Sequence, residues 1–343
     1  MRPIEKAAFF LVDRMYRGVT TSRPFMRLLD RVSHHEHPDA AKGPERPAAQ
    51  IPDLGYHPTV HEGARIPLAA SRDVRAWQVQ WKAEPTSPHT GLGYRSVGGF
   101  YLPGADGTGS RPGILVLPVL RDRLNLASGT LARYLASHGF AALEVRSGAS
   151  FLDHVRVTQD GEDPTWEDVE TEMIRDGRRG LDWLSGQQGV DPGRLGIIGV
   201  SHGAMIGPCV MGVDRRLRAG VFCMGGADEA MIVARSRERS VRRFRQRIMR
   251  VHGLTDPEEL RRLARQRISR TEPMRYASHV DPQAVLLFKT RRDRAVVPEA
   301  QDKLWEALGR PRRITLPLGH LGFGLAFYYA ARRAVDFLWE RFS

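Results

Sequence analysis

The sequence has little lysine, little cysteine and no long apolar run. Its two cysteines, Cys209 and Cys223, lie within apolar stretches, which argues against a disulfide framework or a metal site and favours a reducing compartment. A membrane-spanning helix needs about 18 or more consecutive apolar residues, and no segment approaches that length. The apolar run Ala7–Val12 is also too short for a secretory signal. We therefore expect a cytoplasmic protein that does not cross a membrane.

The net charge is strongly positive, and arginine supplies nearly all of it. The sequence holds 52 Lys and Arg against 39 Asp and Glu, a formal net charge of +13. Only positions 6, 42, 82, 289 and 303 are lysine, so 47 of the 52 cations are arginine. Because G+C-rich coding produces such a bias without selection, the charge alone does not indicate a nucleic-acid or membrane partner. With 41% hydrophobic and 27% charged residues, the chain is globular, which excludes wholesale disorder, collagen and coiled coil.

Composition changes near residue 60. Residues 4–15 have the spacing of an amphipathic helix, and residues 38–60 are rich in Pro, Gly and Ala without a period. Residues 1–60 are therefore predicted to be a helical arm and linker, and residues 61–343 to be the folded domain.

Strand-like and helix-like segments alternate through this domain. Trp77, Val79 and Trp81 alternate with polar residues, and together with the run at 95–104 they predict an antiparallel hairpin. Apolar strands without alternation follow, separated by helical segments, at residues 113–120, 140–146, 194–200, 216–226 and 284–290. This pattern predicts an α/β fold with a mostly parallel central sheet and helices on both faces.

An arginine-rich insert separates the last two of these strands. Residues 235–270 contain 13 arginines and four acidic residues, which gives 13 − 4 = +9 of the whole charge. Apolar residues at helical spacing around Phe244 predict one helix, and Asp256-Pro257 with a following Glu259 predicts the start of another. Residues 227–280 are therefore predicted to form a helical cap. Within residues 235–270 the only aromatic residue besides His252 is Phe244, so this stretch lacks the interleaved aromatics of a nucleic-acid surface, and no nucleic-acid partner is expected.

A G-x-S-x-G motif carries the sharpest chemical signal. Gly199-Val200-Ser201-His202-Gly203 follows a predicted strand and precedes an apolar helical segment. A serine at a sharp strand-to-helix turn needs small residues two positions to either side, because the backbone is tight there. The turn exposes the hydroxyl and places the amide of His202 at a helix N-terminus, where it can donate to an oxyanion. The alternative is a serine that only caps a helix.

A nucleophilic serine needs a base, and the base needs an orienting group. Asp293 follows a predicted strand, in the kind of loop where ligand sites collect in a parallel sheet. His320 follows the later segment RRITLPL. Each residue alone has a plain structural interpretation, as a surface carboxylate and a turn histidine. The chain order Ser, Asp, His is nevertheless the order of the α/β hydrolases.

Residues from about 95 to 343 resemble an α/β hydrolase of the dienelactone-hydrolase and acyl-esterase-like branch. The resemblance is carried by GVSHG, RRDRAVVP, LPLGHLGF and the stretches RPGILVLPVL, ARYLASHGFAALEV and VDPGRLGIIGVSHG. It implies Ser201 as nucleophile, Asp293 as acid and His320 as base, with no cofactor and no metal. The amide of His202 is then one oxyanion donor.

The sequence departs from that family at the second oxyanion position. Such enzymes usually have His-Gly after the relevant strand, whereas here Pro118-Val119 makes the amide of Leu120 the expected donor. Asp228, after the strand that ends in GVFCMGG, is an alternative acid. The cluster His34-His35-Glu36-His37 lacks distant carboxylate or cysteine partners, so it is interpreted as a solvated segment and not as a metal site.

The sequence thus predicts a serine hydrolase, in the first place a carboxylic ester hydrolase acting on a small-molecule ester of small to medium acyl length. A thioesterase, amidase or acyltransferase with the same residues is the alternative within enzymes. A non-catalytic protein that binds an acidic partner through its basic cap is the alternative from another class. A weak peripheral membrane contact, and the choice between a monomer and a homodimer, are left open.

Overall fold

The structure is a computed structural model, and it describes residues 18, 20–37, 50–56, 65–68, 71, 73–82, 95–104, 109–119, 126–146, 156–158, 161–163 and 166–343. The helix predicted over residues 4–15 and most of the predicted linker lie outside these residues. The α-helices are α1 (Arg23–Val32), α2 (Leu126–Ser137), α3 (Trp166–Ser185), α4 (Gly203–Val213), α5 (Glu229–Arg235), α6 (Arg239–Val251), α7 (Pro257–Arg267), α8 (Met274–Ala277), α9 (Pro298–Ala307) and α10 (Phe327–Phe342). The strands are β1 (His34–Glu36), β2 (Arg65–Pro67), β3 (Val74–Lys82), β4 (Arg95–Pro103), β5 (Arg111–Leu117), β6 (Ala141–Arg146), β7 (Arg156–Thr158), β8 (Gly161–Asp163), β9 (Val190–Val200), β10 (Leu217–Cys223), β11 (Val285–Thr290) and β12 (Arg312–Leu316).

Within the described residues, ten strands form one sheet in the order β1-β12-β11-β10-β9-β5-β6-β4-β3-β2. The run from β12 to β6 is parallel throughout. The predicted hairpin is confirmed as β3 and β4, which pair antiparallel and extend the sheet beyond β6. The strands β7 and β8 form a separate small hairpin.

Each apolar strand of the parallel core has side chains packed in the hydrophobic clusters on both faces of the sheet. In β5, Leu115 and Leu117 face one hydrophobic cluster with α3 and α4, whereas Ile114 and Val116 face another with α2 and α10. This explains why the sequence shows continuous apolar runs there and not alternation, since both faces of a parallel sheet are covered. Both cysteines are free and buried.

The carboxyl ends of the parallel strands meet at one edge of the sheet, which is where ligand sites form in such folds. Ser201 follows β9, Asp228 lies beyond β10, Asp293 lies beyond β11 and His320 lies beyond β12. The fold therefore gathers every predicted acid, base and nucleophile on the same side of the sheet.

Helices α5 to α8 occupy the chain between β10 and β11. They have a hydrophobic cluster of their own, in which Phe244 and Ile248 of α6 pack with Leu260 and Ala264 of α7. Trp166 joins this cluster from α3 and packs edge-on against Phe244, with ring centroids 5.1 Å apart. The predicted start of α7 is confirmed, because the Asp256 carboxylate accepts the Glu258 amide at 2.9 Å.

The N-terminal residues also contribute to the sheet. β1 pairs antiparallel with β12, with His34 opposite Thr315 and Glu36 opposite Arg313. The histidine cluster is therefore mostly on an exposed edge strand, and Glu36 forms an ion pair with the buried Arg313. Among the described helices, none is long and apolar enough to span a bilayer.

Candidate active site

Ser201 lies in a strained turn between β9 and α4. Its φ is +54°, a left-handed conformation that non-glycine residues adopt rarely and at an energetic cost. Its backbone N–H donates to the Cys223 carbonyl at 2.8 Å, so the turn is tied to the end of the neighbouring strand β10. The side chain is partly exposed. The strained turn thus holds an accessible hydroxyl at the edge of the sheet.

The two glycines of the motif are required by close backbone contacts. A Cβ at Gly199 would lie 2.1 Å from the Gly203 carbonyl oxygen, and a Cβ at Gly203 would lie 2.7 Å from the Pro118 carbonyl oxygen. Both distances are shorter than a carbon and an oxygen atom can approach. Any side chain at either position would therefore push apart β9, α4 or the end of β5.

Asp293 is buried and its carboxylate is fully engaged. Oδ1 accepts the backbone amides of Ala295 and Val296 at 2.8 and 3.0 Å, and Oδ2 accepts the Thr290 hydroxyl at 2.7 Å. Oδ2 also pairs with Nδ1 of His320 at 2.8 Å. These four contacts satisfy the hydrogen-bonding capacity of a carboxylate that is inaccessible to solvent.

His320 is held so that one ring nitrogen is available. Because Asp293 can only accept, Nδ1 donates to it and Nε2 carries the free lone pair. The loop that carries His320 passes over the loop after β11, since the Arg292 amide donates to the Leu318 carbonyl at 2.9 Å. A Cβ at Gly319 would lie 3.1 Å from the Arg292 carbonyl oxygen. The tight passage keeps the two loops in contact, which places the imidazole of His320 beside Asp293.

The structure therefore joins two of the three predicted triad residues directly, Asp293 and His320. Ser201 lies at the same edge and follows β9, which is two strands from β11 and three strands from β12. The structure shows no hydrogen bond between the hydroxyl of Ser201 and His320, both of which lie in the described part of the chain, so the approach of Nε2 to this hydroxyl belongs to the function proposed below.

His202 directly precedes α4, and its side chain is buried in a polar cluster. Its Nε2 lies 3.1 Å from Oε1 of Glu170, and the Thr271 hydroxyl donates to Oε2 of the same carboxylate at 2.7 Å. Glu170 has no exposed surface. The residue whose amide is the expected oxyanion donor is thus anchored to α3 and, through Glu170, to Thr271 in the segment between α7 and α8. The second expected donor, Leu120, lies outside the described residues.

A second buried carboxyl, Glu229, lies beside Glu170. Burial, followed by the charges of Glu170 and Glu272, raises the pKa of Glu229 well above its usual range. Within the described part of the chain, neither carboxyl oxygen of Glu229 has a hydrogen-bond partner. Because two carboxylates buried side by side repel each other when both are charged, this environment favours the protonated form of Glu229.

Asp228 contacts basic residues of α7 and α9 and not His320. Its Oδ2 accepts hydrogen bonds from Arg261 at 2.7 Å, from Arg265 at 3.1 Å and from Lys303. Burial would raise the pKa of Asp228, but the hydrogen bonds from Lys303 and the two arginines outweigh it and hold the pKa well below its usual value. The Asp228 carboxylate thus links α7 to α9 through ion pairs.

Sequence reasoning did not find the buried glutamates. One signal was available for Glu170, because it lies on the apolar stripe of α3 between the buried residues Trp166, Val169 and Ile174. A lone carboxylate among core positions at helical spacing indicates a buried, partnered acid. For Glu229 no comparable pattern exists, because its neighbours come from distant parts of the chain.

Within the described residues, no group of three or more His, Cys, Asp and Glu side chains could hold a metal ion.

The fold is that of solved esterases. The chain is similar to an acetyl xylan esterase from Paenibacillus sp. R4, with 18% identity over 81% of this chain and 89% of that chain and a TM-score of 0.63. It is also similar to acetyl xylan esterase 1 from Thermoanaerobacterium sp. JW/SL YS485, with 14% identity over 83% and 89% and a TM-score of 0.59. A cold-adapted esterase from an Arctic intertidal metagenomic library matches with 14% identity over 82% and 99% and a TM-score of 0.54.

The predicted fold class is confirmed: the chain has the α/β-hydrolase fold, as the sequence resemblance implies. At these identities the similarity establishes the fold alone. No protein-family model and no curated protein matches the sequence.

Proposed function

We propose that this protein is a serine hydrolase that cleaves carboxylic esters. The observation that carries the proposal is the hydrogen-bonded pair Asp293–His320 at the sheet edge where the strained turn presents Ser201. A nucleophile, a base and an orienting acid, each following a different strand, are what acyl transfer requires. The esterase neighbours support the same class of reaction.

In the proposed cycle, Oγ of Ser201 forms a bond to the acyl carbon while Nε2 of His320 takes the hydroxyl proton. The backbone amide of His202 and that of Leu120 stabilise the negative charge on the former carbonyl oxygen. The intermediate then collapses, and the alcohol leaves with the proton from Nε2. Water repeats these steps on the acyl-enzyme, again through His320, and releases the acid. Asp293 stabilises the imidazolium in both halves of the cycle.

Fluorophosphonate labelling tests this proposal. The probe reacts with serines that are activated by a neighbouring base. We expect labelling of the wild type, no labelling of Ser201→Ala, and full labelling of Ser137→Ala, which removes an exposed serine on α2. A chain-length series of p-nitrophenyl esters, with a thioester and an anilide added, then separates the ester hydrolase from the thioesterase and the amidase. A folded wild type that neither labels nor turns over any of these substrates would overturn the proposal.

The non-catalytic alternative makes an opposite prediction about salt. An acidic partner held by the cap arginines would be released at high ionic strength, whether or not Ser201 is present. Ester turnover by Ser201 would persist at high ionic strength and vanish in Ser201→Ala.

A further inference from the structure

We propose that Thr290 and Gln301 are positioning residues that align the carboxylate of Asp293 with His320. Thr290 is the last residue of β11, and Gln301 lies near the start of α9. Both side chains are buried. The proposal rests on the proposed function, because the alignment affects a reaction only if His320 acts as its base.

One carboxylate oxygen of Asp293 contacts both Thr290 and His320. Oδ2 accepts the Thr290 hydroxyl at 2.7 Å and pairs with Nδ1 of His320 at 2.8 Å. Among the described residues, the Thr290 hydroxyl is the only hydrogen-bond donor to Oδ2 besides His320. The last torsion of an aspartate side chain has a broad preference, so the direction of Oδ2 depends on these contacts.

The direction of the Thr290 hydroxyl is itself fixed by the backbone. Threonine is branched at Cβ, which restricts its first side-chain torsion. The Thr290 backbone is held on one side by β12, where Leu316 is its partner in the parallel register. Its N–H donates to Oε1 of Gln301 at 3.0 Å. The hydroxyl therefore points at Asp293 from a position that the sheet and α9 determine together.

Gln301 joins the two ends of the loop that carries Asp293. Besides accepting the Thr290 amide, its side chain donates through Nε2 to the Val296 carbonyl at 2.8 Å. Val296 in turn donates its own N–H to Oδ1 of Asp293 at 3.0 Å. Gln301 is only 4% exposed, and a buried amide is costly unless it is hydrogen-bonded. The contacts of this one side chain thus hold the loop in a single shape around the carboxylate.

A change at Thr290 should act on the reaction and not on substrate binding. The side chain has no exposed surface, so it reaches the substrate only through Asp293 and His320. Valine has the shape of threonine without the hydroxyl, and Thr290→Val leaves Oδ2 with His320 as its one partner. The carboxylate is then free to turn, and Nε2 of His320 loses its fixed direction. Because proton transfer to Nε2 belongs to the transition state, the loss should appear in kcat.

Proton NMR of the full chain tests the alignment without reference to activity. A proton held between an imidazole nitrogen and a buried carboxylate resonates far downfield of the amide protons. At low temperature, where exchange with water is slow, we expect such a resonance in the wild type and none in His320→Gln, which assigns it. Thr290→Val and Gln301→Met should shift or broaden the resonance. Thr290→Ser keeps the hydroxyl and should restore it.

Steady-state kinetics on p-nitrophenyl acetate gives the second readout. Thr290→Val should lower kcat by about tenfold or more while KM stays within about twofold, and Thr290→Ser should recover most of the loss. Thr315→Val is the matched control. It removes a hydroxyl from a buried threonine of the neighbouring strand β12, and it should leave both the resonance and kcat as in the wild type.

Four results would overturn the proposal: no downfield resonance in the wild type, a wild-type resonance in Thr290→Val, equal losses in Thr290→Val and Thr290→Ser, or equal losses in Thr290→Val and Thr315→Val. A resonance that depends on Thr290, in a protein that hydrolyses no ester, would support the alignment and overturn the proposed function. An active esterase whose kcat does not depend on Thr290 would overturn the alignment alone. Failure of one proposal is therefore distinguishable from failure of the other.

Discussion

The imidazole of His202 and the carboxylate of Glu170 form a buried hydrogen bond of 3.1 Å, one residue beyond the proposed nucleophile. A side chain that follows a nucleophilic serine in the chain has no chemical part in acyl transfer, but its amide does. The orientation of that amide depends on how the residue is held. In the proposed mechanism Glu170 is therefore a positioning residue for the oxyanion donor, and the Thr271 hydroxyl donates to the same carboxylate.

Replacing Glu170 with alanine should lower kcat by about tenfold or more while KM changes little, because the lost anchor shifts an amide that acts in the transition state. Steady-state kinetics on a soluble p-nitrophenyl ester measures both constants. Val169→Ala, in the same turn of α3 and also buried, is the control, since it should cost unfolding free energy without lowering kcat. Equal losses of kcat in the two variants would show that Glu170 acts only through stability.

Asp293→Asn and Asp228→Asn together decide which carboxylate orients the base. An asparagine at 293 cannot stabilise the imidazolium and favours the wrong tautomer of His320, so kcat should fall by about 10³-fold or more. Asp228→Asn weakens the ion pairs between Asp228 and the cations of α7 and α9. The thermal midpoint of unfolding should therefore drop, while kcat stays within a few fold of the wild-type value. If kcat collapses in Asp228→Asn and survives in Asp293→Asn, the earlier strand supplies the acid.

The raised pKa of Glu229 predicts a specific dependence of stability on pH. Its pKa is raised in the folded protein, so its favourable contribution is complete below the unfolded pKa and is lost as the pH rises toward the folded pKa. The neutral isostere in Glu229→Gln does not titrate. The free energy of unfolding of the variant minus that of the wild type should therefore be larger at pH 8.5 than at pH 4, by at least about 1 kcal/mol.

Denaturant unfolding at the two pH values measures this difference. The control is Glu258→Gln, whose side chain is 58% exposed and whose substitution should change stability little at either pH. A pH-independent difference between Glu229→Gln and the wild type would mean that Glu229 is not protonated in the folded state.

The two glycines of the G-x-S-x-G motif predict a steric penalty that depends on position. Gly203→Ala would bring a methyl group to 2.7 Å from the Pro118 carbonyl oxygen, so we expect a loss of about 2 kcal/mol or more in unfolding free energy and of most fluorophosphonate labelling. Gly186→Ala is the matched control, because its new methyl would meet nothing closer than 3.7 Å. It should be neutral or slightly stabilising. Wild-type labelling of Gly203→Ala would show that the turn is less tight than the structure has it.

The predictable part of this protein is the part encoded in local pattern. Continuous apolar runs specify the parallel strands, and the order of Ser201, Asp293 and His320 along the chain indicates the site, because each follows a strand that can be recognised by itself. The pairing of Asp293 with His320 needs only that two such strand ends be neighbours, and β11 and β12 are.

What the sequence does not specify locally depends on contacts between distant segments. No spacing in the sequence reveals that Glu170 of α3 meets Glu229 of α5 and Thr271, which lies between α7 and α8. The same holds for Asp228, which a local argument makes an alternative acid and which the fold places against Arg261, Arg265 and Lys303. A short strand such as β1, whose sequence is three polar residues, carries no apolar pattern either.

That short strand covers what would otherwise be an open sheet edge. Without β1, the outward-facing amides and carbonyls of β12 at Arg313–Thr315 would be free to pair with another chain. Glu36 helps to keep β1 there through its ion pair with Arg313, which Asp302 also contacts at 2.7 Å. Removing the residues that precede the linker should therefore do more than shorten the protein. It should leave a molecule prone to edge-to-edge aggregation while the residues proposed for catalysis remain intact.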